Sequence, residues 1–226
     1  MKSKIEWTDR VWNPITGCTK ISEGCQNCYA ERMAKRLAGR CGYDEDDPFR
    51  VTIHRDRLRQ PYTWVKPARV FVCSMGDLFH KDIPMASIYE IWRIMGSNKK
   101  HTFIVLTKRP ERMRSLIAGH ETHIWLGVTC ENQRTADERI PILLGIQSAV
   151  SFVSCEPMLG PIHLGGYRPD WVICGGESGP KRRPFNPDWA RDLRDQCKQA
   201  SVPFFMKQID KQTPIPDDLM IREYPE

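Results

Sequence analysis

Along most of this chain, short apolar runs alternate with amphipathic stretches. "RVFVCS" (69–74) precedes "PMASIYEIWRIMGS" (84–97), whose Ile88, Ile91, Trp92 and Met95 recur at helical spacing. "TFIVLTK" (102–108) leads into "PERMRSLIAG" (110–119), with Pro110 suited to a first helical turn and Gly119 to the exit. "IWLGVTCE" (124–131) precedes "RTADERIPILLG" (134–145), where Pro141 argues against a continuous helix. "AVSFVSCE" (149–156) runs into a Pro/Gly-rich segment rather than a helix. "DWVICGGES" (170–178) precedes "PDWARDLRDQCKQA" (187–200), and "VPFFMKQ" (202–208) supplies a last strand.

Strands that alternate with helices predict parallel βα units, and near-continuous apolar strands predict a sheet buried on both faces. With an initial strand near 11–17, the pattern gives six or seven units, fewer than a complete eight-unit barrel. A partial (βα)6 TIM-like barrel and a doubly wound α/β sheet both fit. Residues 1–208 form one domain on this pattern. A basic insertion occupies 39–69, and a Pro- and charge-rich tail occupies 209–226.

The first residues, "MKSKIEWTDR", contain no apolar leader, and no apolar run reaches bilayer-spanning length. A cytoplasmic protein without a membrane partner is expected. Nine cysteines in such a chain favour metal binding, redox chemistry or burial over a disulfide framework. A net charge of +6 is compatible with a polyanionic partner such as nucleic acid.

In parallel α/β folds, chemistry collects at the C-terminal ends of the strands. Cys73, Cys130, Cys155 and Cys174 fall there, among the polar side chains of Asp77, Thr107, Lys108, Arg109, Thr129, Glu131, Asn132, Ser154, Glu156 and Glu177. Taken singly, each of these cysteines reads as a small buried hydrophobe; taken together with their neighbours, they outline a pocket. His120 and His123 lack a carboxylate at useful spacing and read as loop histidines.

The densest chemistry is "GCTKISEGCQNCYA" (17–30), with Cys18, Cys25 and Cys28 in the spacing C-x6-C-x2-C. The motif lies between the first strand and a helix expected to run through "YAERMAKRLAG" (29–39), in the first βα loop. Gly17 and Gly24 allow the backbone to turn tightly there. Three thiolates suit a four-iron cluster with one open iron. The alternative is a closed zinc site with Cys41 as fourth ligand, but a continuous helix after Cys28 would carry Cys41 away.

"WNPITGC…GCQNCYAERMAKR", "VFVCSMGDLFH", "FIVLTKRPERM", "WLGVTCENQ", "SFVSCEPMLGPI" and "WVICGGESGP" together resemble a group of short, phage- and prophage-encoded proteins related to radical S-adenosylmethionine (radical SAM) enzymes. The resemblance extends to about residue 208. It implies a partial barrel whose Cys18, Cys25 and Cys28 hold a [4Fe–4S] cluster, with SAM on the open iron. Reduction by an external one-electron donor would then release a 5′-deoxyadenosyl radical that abstracts a substrate hydrogen. It also implies that Gly76 and Asp77 meet the SAM amino group and that Lys108 or Arg109 meets its carboxylate. Thr129, Glu131, Asn132, Ser154, Glu156 and Gly175 would lie near the ribose or adenine. The first gap of six differs from the commoner C-x3-C-x2-C, and Asn27 stands where an aromatic residue is usual. "GGES" (175–178) looks like the common GGE loop but occurs too late in the chain to share its role.

The phage context implied by that resemblance, the basic charge and the insertion, with Tyr62 and Trp64 among its cations, point to a nucleic-acid substrate, in particular DNA. The sharpest expectation is modification or isomerisation of a base such as an amino-acylated thymine, with Cys130 or Cys155 relaying a hydrogen atom. A lesion-repair lyase, a small-molecule radical enzyme and a non-catalytic zinc module are the alternatives.

Overall fold

The computed structural model describes residues 5–117 and 121–226; His120 of the "HETH" pair lies outside them. Seven strands form one sheet with every neighbouring pair parallel. They are β1 (Arg10–Trp12), β4 (Arg69–Val72), β5 (Thr102–Thr107), β6 (Ile124–Thr129), β7 (Ser151–Cys155), β8 (Trp171–Gly175) and β9 (Phe204–Gln208). A separate two-stranded ribbon pairs β2 (Ile15–Thr16) with β3 (Thr52–Ile53) antiparallel.

The seven strands follow one another in chain order across the sheet. A doubly wound sheet needs a reversal of order at a switch point, and none occurs, so this is a barrel-type winding. Helices α1 (Tyr29–Arg36), α2 (Met85–Ser97), α3 (Pro110–Leu116), α4 (Gln133–Leu144) and α5 (Pro187–Ala200) follow β2, β4, β5, β6 and β8. After β7 the chain crosses to β8 without a helix, as the Pro/Gly-rich sequence predicts.

Strand alternation sorts the core into two layers. Val70, Val72, Phe103, Val105, Leu126, Val128, Val153, Val172 and Met206 share one buried cluster with residues of the helices. Phe71, Ile104, Phe152, Trp171, Ile173 and Phe205 form a second cluster on the concave side, joined by Trp7. Their rings meet edge-on or tilted, with Trp7 and Phe71 centroids 4.7 Å apart and Phe152 and Trp171 5.8 Å apart. Gly127 makes room for Phe152, since a Cβ there would lie 2.3 Å from the ring.

Three expectations change. Pro141 does not break α4: Asp137, whose carbonyl loses its partner, and Pro141 itself are both exposed, so water can satisfy the freed group. Helix α1 ends at Arg36, not near residue 39, and Leu37 N–H is shared between the Met33 and Ala34 carbonyls. The aromatic centre of the insertion, Trp64, is packed rather than free. It lies 5.7 Å from the His101 ring, under the Arg10 guanidinium, beside the starts of β5 and β1. That is the end of the sheet opposite the strand C-termini.

The tail packs against the sheet. Phe205 and Arg222 form an antiparallel bridge along the β9 edge, Leu219 is fully buried, and Tyr224 packs on Trp171 and Phe205. Arg222 pairs with Glu6 at 2.8 Å, and Arg69 lies over the Tyr224 ring.

Candidate functional site: three cysteines at a strand-end cavity

The C-terminal ends of the strands open into a cavity of about 280 Å³. Trp7, Phe71 and Leu106 give it an apolar lower wall, and Cys18, Cys25 and Cys28 line it together. All three thiols are free and partly exposed. Each is held by a different part of the sheet rim.

Cys18 follows Gly17, whose φ of +83° and close approach to the Arg50 carbonyl exclude a side chain; a Cβ would lie 2.0 Å from that oxygen. Arg109 Nη1 donates to Cys18 Sγ at 3.4 Å and to Asp77 Oδ2 at 2.8 Å. Its Nη2 donates to the Thr19 carbonyl at 3.1 Å and to Thr19 Oγ1 at 3.2 Å. Fully buried His80 contacts Thr19 Oγ1 through Nε2 at 2.8 Å. Burial and the Asp77 charge push the Cys18 thiol up to about 11 against the opposing Arg109 charge.

Cys25 sits in a 3-10 turn over Glu131. Gly24 is again obligatory, because a Cβ would lie 2.3 Å from the Glu131 side chain. Ser22 Oγ lies 3.6 Å from Cys25 Sγ and donates to Glu131 Oε1 at 2.5 Å. Glu131 is fully buried, and it also receives Lys108 Nζ and, at 2.9 Å, Arg139 Nη1. Burial favours a neutral Glu131, but the Lys108 and Arg139 charges outweigh it and hold the carboxyl below its usual range. Burial likewise raises the Cys25 thiol, and hydrogen bonding at Ile21 and Ser22 with the Lys108 charge brings it below the ordinary value.

Cys28 immediately precedes α1. Beside it, Asn27 Nδ2 donates to Glu177 Oε2 at 2.9 Å and to the Lys181 carbonyl at 2.8 Å. Arg183 grips Glu177 through backbone and guanidinium, and its Nη2 reaches the Glu23 carbonyl at 3.0 Å. The "GGES" segment therefore bears on the cysteine loop, a contact that its late position in the chain conceals.

Of the residues expected at the site, Gly76, Asp77, Lys108, Arg109, Thr129, Ser154 and Glu156 line the cavity with the three cysteines. Glu131 lies beneath the cysteine loop, and Asn132 caps α4 by accepting from Thr135 N–H. Neither these two nor Gly175 lines the cavity. Cys130 and Cys155 are displaced from their expected place. Both are fully buried in the helix-side cluster, because positions 126, 128 and 130, and 153 and 155, point away from the concave face. Burial pushes the Cys130 thiol up to about 12 and the Cys155 thiol well above its ordinary value.

Cavity residues outside the strand-end expectation include Asn27, Tyr29, Lys207 and Lys211. Lys207 pairs with Glu156 at 2.6 Å, and Ser154 Oγ donates to the same carboxylate at 3.1 Å.

The donor set fits a cluster better than a single ion. Among the described residues, no three His, Cys, Asp or Glu side chains converge on one metal position. Three thiols fanned around one cavity suit a cube in which each thiolate binds its own iron. Cys41 does not line this cavity; it is exposed, at φ +53°, and its carbonyl accepts from Arg57.

Residues 2–217 match a family described as a protein of unknown function, DUF5131. No curated protein matches the chain in sequence. Two solved structures share its fold. The first is spore photoproduct lyase complexed with dinucleoside spore photoproduct, with a TM-score of 0.55 and 12% identity, covering 88% of this chain and 63% of that one. The chain thus spans less than two thirds of that protein's length. The second is a point mutant of spore photoproduct lyase, with a TM-score of 0.59 and 12% identity, covering 92% of this chain and 78% of that one. The partial-barrel expectation is borne out by both.

Proposed function

The chain belongs to the DUF5131 family, and we propose that it is a radical SAM enzyme acting on a base in nucleic acid. The observation that carries this is the convergence of three free thiols on one strand-end cavity of a curled parallel sheet. Cys18, Cys25 and Cys28 would hold a [4Fe–4S] cluster, leaving one iron for SAM. Reduced by an external one-electron donor, that pair would supply hydrogen-atom abstraction.

The chain's own residues set the geometry. Arg109 and Lys108 are committed to Asp77, Cys18 and Glu131, so they hold the cysteine loop rather than bind the SAM carboxylate. Asp77 already accepts from Phe79 N–H, Thr107 Oγ1 and Arg109. Gly76, the inward-facing Thr129 hydroxyl and the linked Ser154–Glu156–Lys207 group would make up the SAM-facing set. The apolar wall of Trp7, Phe71 and Leu106 would limit water at the reacting atoms.

The nucleic-acid substrate is supported by the +6 charge and by the neighbour solved with a dinucleoside photoproduct. That neighbour also favours a second reading, reversal of a base lesion, over base modification or isomerisation. Reconstituted protein given SAM and dithionite should form 5′-deoxyadenosine, and Cys25→Ala should not; absence of the product from the wild type overturns the proposal. Product analysis with damaged and with hypermodified DNA separates lesion reversal from base modification.

A further inference from the structure

Cations on this protein divide into two groups around the cavity mouth. Arg183 is neutralised by Glu177, Arg182 by Asp210 and Lys207 by Glu156. Glu31 on α1 pairs with both Lys20 of the cysteine loop and Lys35 of the same helix. No ion pair forms at Arg32, Arg36, Lys181 or Lys211 among the described residues. These four are not scattered. Lys211 lines the cavity, and the Lys181 carbonyl accepts from Asn27 inside the cysteine loop. Arg32 Nη1 donates to the Ser178 carbonyl at 3.3 Å, on the same wall. Arg36 follows Arg32 by one helical turn and so lies on the same face.

Beside this row lies apolar surface that the fold leaves open. Tyr29, a cavity residue, is 42% exposed, and Met33, one turn on, is 37% exposed. Beyond α1 the chain turns acidic at residues 44–47. Unpaired cations beside an exposed aromatic are the two components of a single-strand binding track.

We propose that a single-stranded nucleic acid, or the strand flanking an extruded base, crosses the cavity mouth here. Its phosphates would lie on Lys211, Lys181, Arg32 and Arg36, and a base would lie against Tyr29. The assignment rests on the proposed nucleic-acid reaction and moves the contact surface away from the 39–69 insertion, whose Trp64 is packed at the opposite end of the sheet.

The test is fluorescence anisotropy of the full chain with a fluorescein-labelled oligothymidylate across a salt series. The triple variant R36A/K181A/K211A changes exposed side chains that do not brace the cysteine loop. It should bind at least about tenfold more weakly, and the slope of log affinity against log salt should fall by roughly 2, about 0.7 per lost phosphate contact. The control R59A/K66A/R168A removes three exposed cations away from the mouth and should bind as the wild type does. Equal binding by the two triple variants, a loss confined to the control, or no binding by the wild type would overturn the track. Cluster formation and SAM cleavage are measured on the same preparations. Their failure alone removes the radical reading, whereas failure of strand binding alone removes the track.

Discussion

At the residue scale, the consecutive side chains of Lys108 and Arg109 support two different cysteines. Arg109 donates directly to Cys18 Sγ, while Lys108 reaches Cys25 through Glu131 and Ser22. Removing the Glu131 charge leaves part-buried Lys108 and buried Arg139 without their counter-charge, so Glu131→Gln should cost about 3 kcal/mol near neutral pH. The folded carboxyl is held below its usual range. Its contribution is therefore complete above the ordinary carboxylate range and is lost as pH falls through the lowered folded value. Chemical denaturation of both proteins should show the gap narrowing in acid; a gap independent of pH would contradict the charge account. Arg109→Gln should lower the reduction potential of a reconstituted cluster, because a cationic donor to a ligand sulfur favours the reduced form; redox titration reads this without any substrate. The inward hydroxyls of Thr129 and Ser154 were legible from the chain. Strand parity also fixes the outward direction of Cys130 and Cys155: side chains two apart share a face, and Val128 and Val153 belong to the helix side.

At the element scale, burial on both faces makes each strand an uninterrupted apolar run, and that run marks β4 to β9 in the sequence. Element ends carry weaker signals. Helix α1 stops three residues before Gly39, the first residue there with positive φ, and nothing in "RLAG" marks the earlier exit. Whether Pro141 ends α4 depends on which face the freed carbonyl meets, a tertiary fact. The concave layer also fixes Gly127. Placing a methyl group there, 2.3 Å from Phe152, should destabilise the fold by about 1–3 kcal/mol. Thermal unfolding of Gly127→Ala checks this, and Gly127→Ala with Phe152→Leu should recover part of the loss.

At the scale of the whole molecule, the barrel is open at its edges and is plugged below by segments from both ends of the chain. Trp7 enters the concave layer, and Tyr224 O–H donates to the Glu6 carbonyl across 218 residues of sequence. Such pairings leave no periodic signal, so the tail's sequence shows only its charges and prolines. Deleting residues 217–226 exposes Leu219's site, worth roughly 2 kcal/mol by itself. The thermal midpoint should therefore fall by at least about 4–8 °C, and an unchanged midpoint would show the plug to be dispensable. The central claim concerns the three thiols, and electron paramagnetic resonance of anaerobically reconstituted, reduced protein tests it most directly. A reduced [4Fe–4S] signal that shifts on adding SAM, persists in Cys41→Ala and disappears in Cys25→Ala is the predicted result. Stoichiometric zinc that is lost in Cys41→Ala, with no cluster signal and no response to SAM, would contradict it.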